Sequence, residues 1–414
     1  MRHARFTLML ITPFLILLQG CSGRQPVTLD RAKALYYQNE LEQALPLFEQ
    51  LVEQDSKSYD NRVWLAETYR RLGKKEQAVR TARIALELNP RSSFAHTVIA
   101  EASNPVLGEW WLANSDTTWV HLMDAVACDS TDGHPWLVIW GEAMHRGQYP
   151  LVGKALRNIV ESGFLTKAPL SYGRWMLKAL PKNALLLTNG DMDTYPPCAL
   201  QEIEGFRKDV AIVNRGTLET KWHARYVRDA RGAPIPFNDK QLDEFSVYRD
   251  SGGNIVTLSD EIVRTWLQQK AAGSLDRPLC FAVTLDPEFL GGLRNDLRCA
   301  GAFYEWRKGA VNAPDTLAMH TSLEGFRPAD FSGPWVSDRD RSPIRRLYTK
   351  NIVRNVTETA IAYAASLIAS KRSHAAERWI AWAEELDRSA ELGPVFTERI
   401  AVAKARITEK QASQ

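Results

Sequence analysis

Residues 184–214 read ALLLTNGDMDTYPPCALQEIEGFRKDVAIVN, and the fold class turns on this stretch. Ala184 to Thr188 is a short apolar run that ends in Asn189-Gly190-Asp191. Pro196 to Phe206 then reads as a helix, with proline in the first turn, where a missing N–H is harmless. Val210 to Val213 is a second apolar run, closed by Asn214-Arg215-Gly216. Short apolar runs on either side of a helix predict a βαβ unit with parallel, buried strands. Leu258 to Gln269 is helix-like and leads into a third run, Pro278 to Thr284; a fourth strand is expected around Cys299 to Trp306. In such a sheet the strand ends Asp191, Asn214 and Thr284 fall along one edge, where open α/β sheets bind ligands.

Upstream, the pattern is helical and repeats. Ala32, Leu35, Ala44 and Phe48 recur 34 residues later as Ala66, Tyr69, Ala78 and Ala82. Small residues at these places let two helices approach closely, Gly73 suits the turn between them, and Tyr36, Phe48, Trp64 and Tyr69 supply stacking area. Residues 28–103 thus resemble the tetratricopeptide repeat, a helix-turn-helix unit of about 34 residues. A third unit opens at Ser92 and is interrupted by Asn104-Pro105. Two units and a fragment are too few to stand alone, so the following chain is expected to complete the stack. Trp136, Ile139, Trp140, Ala143 and Met144, then Leu151, Ala155, Leu156 and Ile159, have the spacing of another helix pair, with Gly147 at its turn. Between these blocks, Trp110, Trp111 and Trp119 read as core packing or as a binding patch. Ala360 to Leu386 reads as a further hairpin, turning near Ser370–Arg372, with Ala364, Ala376 and Ala383 at repeat-like spacing; a tail helix is expected to about Ala405.

The first residues have a different purpose. Arg2 and Arg5 precede an apolar run, Phe6 to Leu18, that is short for a membrane span and right for a signal peptide. Leu18-Gln19-Gly20-Cys21 resembles the lipobox of bacterial lipoproteins, which implies acylation of Cys21. Ser22 after the cysteine, rather than Asp, implies sorting to the outer membrane by the same resemblance. The formal net charge of +3, without a long basic run, argues against nucleic acid as a partner. With 45% hydrophobic and 24% charged residues, and no second apolar run of membrane length, the rest of the chain is expected to be soluble and globular. Cys128, Cys198, Cys280 and Cys299 allow three pairings in an oxidising compartment; Cys280, in an apolar run, reads as a buried free thiol.

The central stretch also carries a family resemblance. NGDMDTYPPCALQEIEGFRKDVAIVN at 189–214 resembles the "GDNDTYP…QE.EG.R.DV.VVN" signature of a bacterial family that joins a many-span membrane region, similar to protein O-mannosyltransferases, to a soluble C-terminal part. RPLCFAVT at 277–284 and LRCAGAFYEW at 297–306 are similar to later blocks of that soluble part, in the same order. Met192 replaces the family's usual Asn, Cys198 and Ala199 replace aromatic residues, and the many-span region has no counterpart here. The resemblance implies location and architecture more than chemistry.

Asp191 and Asp193 are the sharpest candidates for chemistry. Two carboxylates on a strand-end loop suit a divalent cation or acid–base work on a sugar or phosphate. Thr194 and Tyr195 add hydroxyls, and the N–H groups of the helix after them suit an anion. The same aspartates serve equally as helix caps. Arg215, after Asn214, is expected to pair with Asp191 or Asp193 or to clamp an anion, and Thr284 to join them; His223, next to Trp222, reads as a surface residue. No Walker loop, HExxH, G-x-G-x-x-G or Ser/His/Asp order is present.

The expected architecture is α + α/β: a signal peptide (1–20), tetratricopeptide-type repeats (21–103), a helical extension (104–179), a small parallel α/β domain (180–310), a linker (311–345), a C-terminal helical hairpin segment (346–405) and a disordered tail (406–414). The expected function is a lipid-anchored, extracytoplasmic adaptor on the periplasmic side of the outer membrane. Its repeats would bind an envelope protein, and its α/β module an unidentified ligand. The alternative is a hydrolase or transferase of envelope glycans built on the Asp191/Asp193 loop.

Overall fold

The computed structural model describes residues 26–105, 113–310, 313–334 and 340–412. Helices come first, as hairpin pairs: α1 (Leu29–Tyr37) with α2 (Leu41–Gln54), α3 (Tyr59–Arg71) with α4 (Lys75–Leu88), α5 (Ser93–Ser103) with α6 (Ser115–Cys128), and α7 (Gly133–His145) with α8 (Tyr149–Glu161). Ser58, Ser92 and Asp132 cap the first helix of their pairs by accepting backbone N–H groups. Asn39, Gly73 and Gly147 take left-handed φ values of 64°, 73° and 67° in the tight turns, a conformation that glycine and asparagine reach at low cost. The small residues Ala32, Ala44, Ala66 and Ala78 are fully buried, as the close approach of paired helices requires. Trp110, Trp111 and Cys21 lie outside the described residues.

The third unit does not stop at Asn104-Pro105. It is completed by α6, whose start is fixed by the Asn114 side chain accepting the Thr117 N–H at 2.8 Å. The stack then continues into the sheet. α9 (Lys167–Lys178) leads to β1 (Leu185–Thr188) and to α10 (Asp191–Glu204), which packs on both α9 and α8 and so takes the second place in a fifth pair. Contact between α9 and α10 depends on Gly173, where a Cβ would lie 2.8 Å from the Pro197 nitrogen. α10 begins at Asp191, five residues before the expected start, and Pro196 and Pro197 fall in its second turn.

β2 (Ala211–Asn214), α11 (Lys221–Asp229), α12 (Asp239–Glu244), the exposed hairpin β3 (Tyr248–Arg249) and β4 (Ile255–Val256), and α13 (Leu258–Ala271) follow. β5 (Leu279–Ala282), α14 (Pro287–Gly292), β6 (Leu297–Cys299), β7 (Phe303–Trp306) and β8 (Ala313–Pro314) complete the described strands. The larger sheet has the order β2-β1-β5-β7-β6-β8. β1 is parallel to β2 and β5, β7 is antiparallel to β5 and β6, and β6 is parallel to β8. The sheet is therefore mixed, not parallel throughout. The strand expected around 299–306 is a hairpin, turned at Gly301 with φ of 87°.

The stretch 311–345 is not a bare linker: α15 (Thr316–Leu323) and a 3-10 turn at Pro328–Asp330 lie within it. α16 (Pro343–Ala369), α17 (Ser373–Ala390) and α18 (Pro394–Ala412) pack together at the end, and α18 runs beyond the helix end expected at Ala405. Packing does not divide at residue 180. One apolar core runs from Ala100 through Trp175 and the strands to Ile407, while smaller clusters lie under α1–α5. No described helix is long and apolar enough to cross a membrane.

Candidate functional site

The two aspartates expected on a loop after β1 lie instead in the first turn of α10, and they face different ways. Asp193 is buried, and its carboxylate oxygens accept the Asn189 and Gly190 N–H groups, each at 2.8 Å. The Thr284 hydroxyl donates to the same carboxylate from the end of β5. Burial pushes this carboxyl above its usual range, against the pull of those hydrogen bonds. Asp191 is half-exposed and lies 3.5 Å from the Arg345 guanidinium on α16. Thr194 turns inward: its hydroxyl shares a hydrogen with that of Thr188 at 2.7 Å and accepts one from the Asn214 amide at 2.9 Å. Asn214 in turn accepts the Thr217 N–H at 3.0 Å. These residues tie the ends of β1 and β2 together.

Tyr195 meets Trp140 of α7 edge to face, with ring centroids 4.7 Å apart. Burial, then the charge of Asp191, holds its phenol well above the usual range. Arg215 reaches neither aspartate. It pairs with Asp260 at 3.0 Å and lies over the Phe289 ring. His223 is buried rather than on the surface, with both ring nitrogens unpaired, and burial lowers its pKa to about 3.

Two clefts result. One of about 360 Å³ opens at the ends of β1 and β5 against α16, lined by Asn189, Gly190, Asp193, Thr284, Asn351 and Asn355. The other, about 270 Å³, lies between α10 and the repeats and is lined by Glu101, Trp140, Asp191, Tyr195, Trp222 and Arg345. The structure thus brings Asp193 and Thr284 together, places Asp191 and Tyr195 in the neighbouring cleft, and leaves Arg215 in neither.

The repeats hold a feature that the sequence reading missed: part of this chain lies in their groove. Asp340, Arg341 and Ser342, just before α16, are buried. The Arg341 guanidinium sits 4.3 Å from the Phe94 ring centroid and 3.0 Å from Asp132, and its carbonyl lies 2.7 Å from the Tyr36 hydroxyl. A ladder of charge runs from there in both directions. Glu67 meets Arg70 at 2.7 Å, Arg70 meets Glu101 at 3.4 Å, and Glu101 meets His134 at 3.3 Å. His134 then faces Asp340 at 3.7 Å, and Asp340 meets Arg345 at 2.9 Å. Burial pushes the Glu67 carboxyl up, but Arg70 and Arg71 outweigh it and hold it at about 2. Arg345 in the same way keeps Asp340 well below the carboxylate range despite its burial. The signal for this segment was Ser342-Pro343, a cap followed by proline at the first helical position. Beside the segment a third cleft, about 350 Å³, is lined by Tyr37, Tyr59, Trp64, Arg91, Phe94 and Arg341.

Cys128, Cys198, Cys280 and Cys299 are all free. Burial pushes the Cys198 thiol to about 11 and the Cys280 thiol well above its usual range, so neither is a ready nucleophile.

Helix pairs of this period, ending on a sheet unit, define a tetratricopeptide-type repeat protein with an α/β region built into its stack. Comparison with known families agrees. The model described as "TMEM260-associated domain 2" matches residues 170–272, and that of "Anaphase-promoting complex, cyclosome, subunit 3" matches residues 37–110. The chain is thus a tetratricopeptide-type protein with a TMEM260-related region. No curated protein matches it. Among solved structures, a thermophilic TPR protein of Thermus thermophilus is 16% identical, over 52% of this chain and 93% of that one, with a TM-score of 0.32. MamA is 12% identical over 44% and 89%, with a TM-score of 0.29. Yeast Tom70 is 13% identical over 94% and 62%, with a TM-score of 0.26.

Proposed function

We propose that this protein is an envelope adaptor, exported and acylated on Cys21, that binds another envelope protein through its repeats. The carrying observation is the cleft beside Arg341. Tyr37, Tyr59, Trp64 and Phe94 meet Arg91 and Arg341 there, and aromatic residues with arginine dominate the energetics of protein contacts. Its occupant is an extended segment of the partner, lying alongside the chain's own Asp340–Ser342. The strand-end cleft is the ligand module of the same adaptor: Asn189, Asp193, Thr284, Asn351 and Asn355 set polar groups among the apolar surface of Met192 and Ile352, the pattern of a small-molecule site.

Site-specific photocrosslinking in cells tests the binding surface. A photoreactive residue at Arg91, which is exposed at the cleft, is expected to trap a discrete partner, and Tyr59→Ala to weaken that adduct. The same probe at Lys240, on exposed α12, is the control. No adduct from position 91, or the same adduct from position 240, rejects this surface. For the anchor, Cys21→Ser is expected to move the protein from the membrane to the soluble fraction, and retention in the membrane would exclude acylation at Cys21 as the anchor. Stable anchoring by lipid takes more than one acyl chain or a second signal.

A further inference from the structure

The third helix pair differs from its neighbours in its connection. Residues 104–114 join α5 to α6, where single left-handed residues turn the neighbouring pairs. On the facing sides of these helices three donor groups meet. His96 Nδ1 lies 2.8 Å from His121 Nδ1 and 3.9 Å from an Asp124 carboxylate oxygen. One ligand atom from each residue falls within 4.8 Å of the others. His121 and Asp124 are three residues apart on α6 and so share a face.

The surroundings suit an ion. Ligands around tetrahedral zinc stand about 3.3 Å apart, and the observed 2.8 and 3.9 Å separations bracket that value. Asp124 is half-exposed, which leaves an entry path from solvent.

We propose that His96, His121 and Asp124 bind a divalent transition-metal ion, zinc by ligand type, that clips α5 to α6. Two imidazole nitrogens and one carboxylate oxygen suit zinc and its neighbours over Mg²⁺ or Ca²⁺, and they leave a fourth position for water. This site is separate from the Asp191/Asp193 loop and does not depend on the adaptor reading.

The test uses the full chain, stripped with chelator, then given Zn²⁺ or Mg²⁺ in a thermal melt and Co²⁺ in visible absorption. One equivalent of Zn²⁺ should raise the Tm, Mg²⁺ should not, and Co²⁺ should give ligand-field bands. His121→Ala should abolish both signals, and Asp124→Asn should weaken zinc binding tenfold or more, with the metal-free Tm preserved. If His121→Ala does not fold, Asp124→Asn on the exposed side decides. An absence of zinc binding, or zinc binding undiminished in the variants, overturns the proposal.

Discussion

Asp193 directs its carboxylate at its own helix start, while Asp191, two residues earlier, faces Arg345 at the rim of a cleft. The two therefore respond differently to the same change. Asp193→Asn replaces one acceptor oxygen with an NH2 group that faces backbone N–H donors, which should cost about 1–3 kcal/mol in urea unfolding at pH 7. Asp191→Asn loses a half-exposed pair, worth less than about 1 kcal/mol. Equal losses would contradict this division of roles. The buried ladder sets the acid limit of stability. The Glu67 carboxyl is held at about 2 in the fold, below its unfolded value, so its contribution is present above the unfolded pKa and is lost as pH falls toward 2. Asp193 has the opposite sign: its raised pKa favours the fold at low pH and costs stability as pH rises through it. Urea midpoints between pH 6 and 2 should fall on acidification, and fall less steeply in Glu67→Gln. A pH slope unchanged in Glu67→Gln would rule out this assignment. The capping role of Asp193 could be read in the sequence as one of two alternatives. The Arg215–Asp260 pair could not, because its partners lie 45 residues apart and only the fold brings them together.

At the scale of elements, α10 belongs to two architectures at once: it is the crossover between β1 and β2, and it closes the helix stack on α8 and α9. Gly173 is where this double role is most constrained. Gly173→Ala sets a Cβ 2.8 Å from the Pro197 nitrogen, in backbone that cannot rotate away. The expected cost is about 1–3 kcal/mol from overpacking, read as a lower urea midpoint. A neutral result would mean that α9 shifts freely on α10. The early pairs were legible because small residues recur at a fixed interval, and that interval reflects helix contact. α6 was hidden because Asn104-Pro105 reads as a stop and the tryptophans after it gave no period. Strand direction was hidden for a related reason: β1, β2 and β5 are buried throughout, and such apolar runs do not distinguish a parallel from an antiparallel neighbour. The prolines of α10 also misplaced its start, since proline tolerated in the interior looks like proline at the first turn.

At the scale of the molecule, the main apolar core is continuous from the third pair to α18, whereas α1–α4 rest on smaller clusters shared with α5. Repeats joined in this way can open from the end with the smaller core. Besides the packing of α3 and α4 on α5, Arg341 straps them, paired with Asp132 and stacked on Phe94. Arg341→Ala leaves Asp132 with the Ser93 hydroxyl and the His134 N–H but without its charged partner; losing one partner of a buried pair costs about 3–5 kcal/mol. In hydrogen exchange, amides of α1–α4 should lose protection while those of β1 and β5 keep theirs. Equal loss in both would show that the molecule opens as one unit and that Arg341 is not a local strap.

The residue that fills the repeat groove is separated by 305 positions from the tyrosine it meets. An exported chain that leaves the membrane N-terminus first brings out its repeats before the strap that fills their groove. A partner waiting at the point of emergence would meet a vacant site, whereas one that arrives later must compete with a covalently attached occupant. Timing, as well as affinity, then decides what the groove holds.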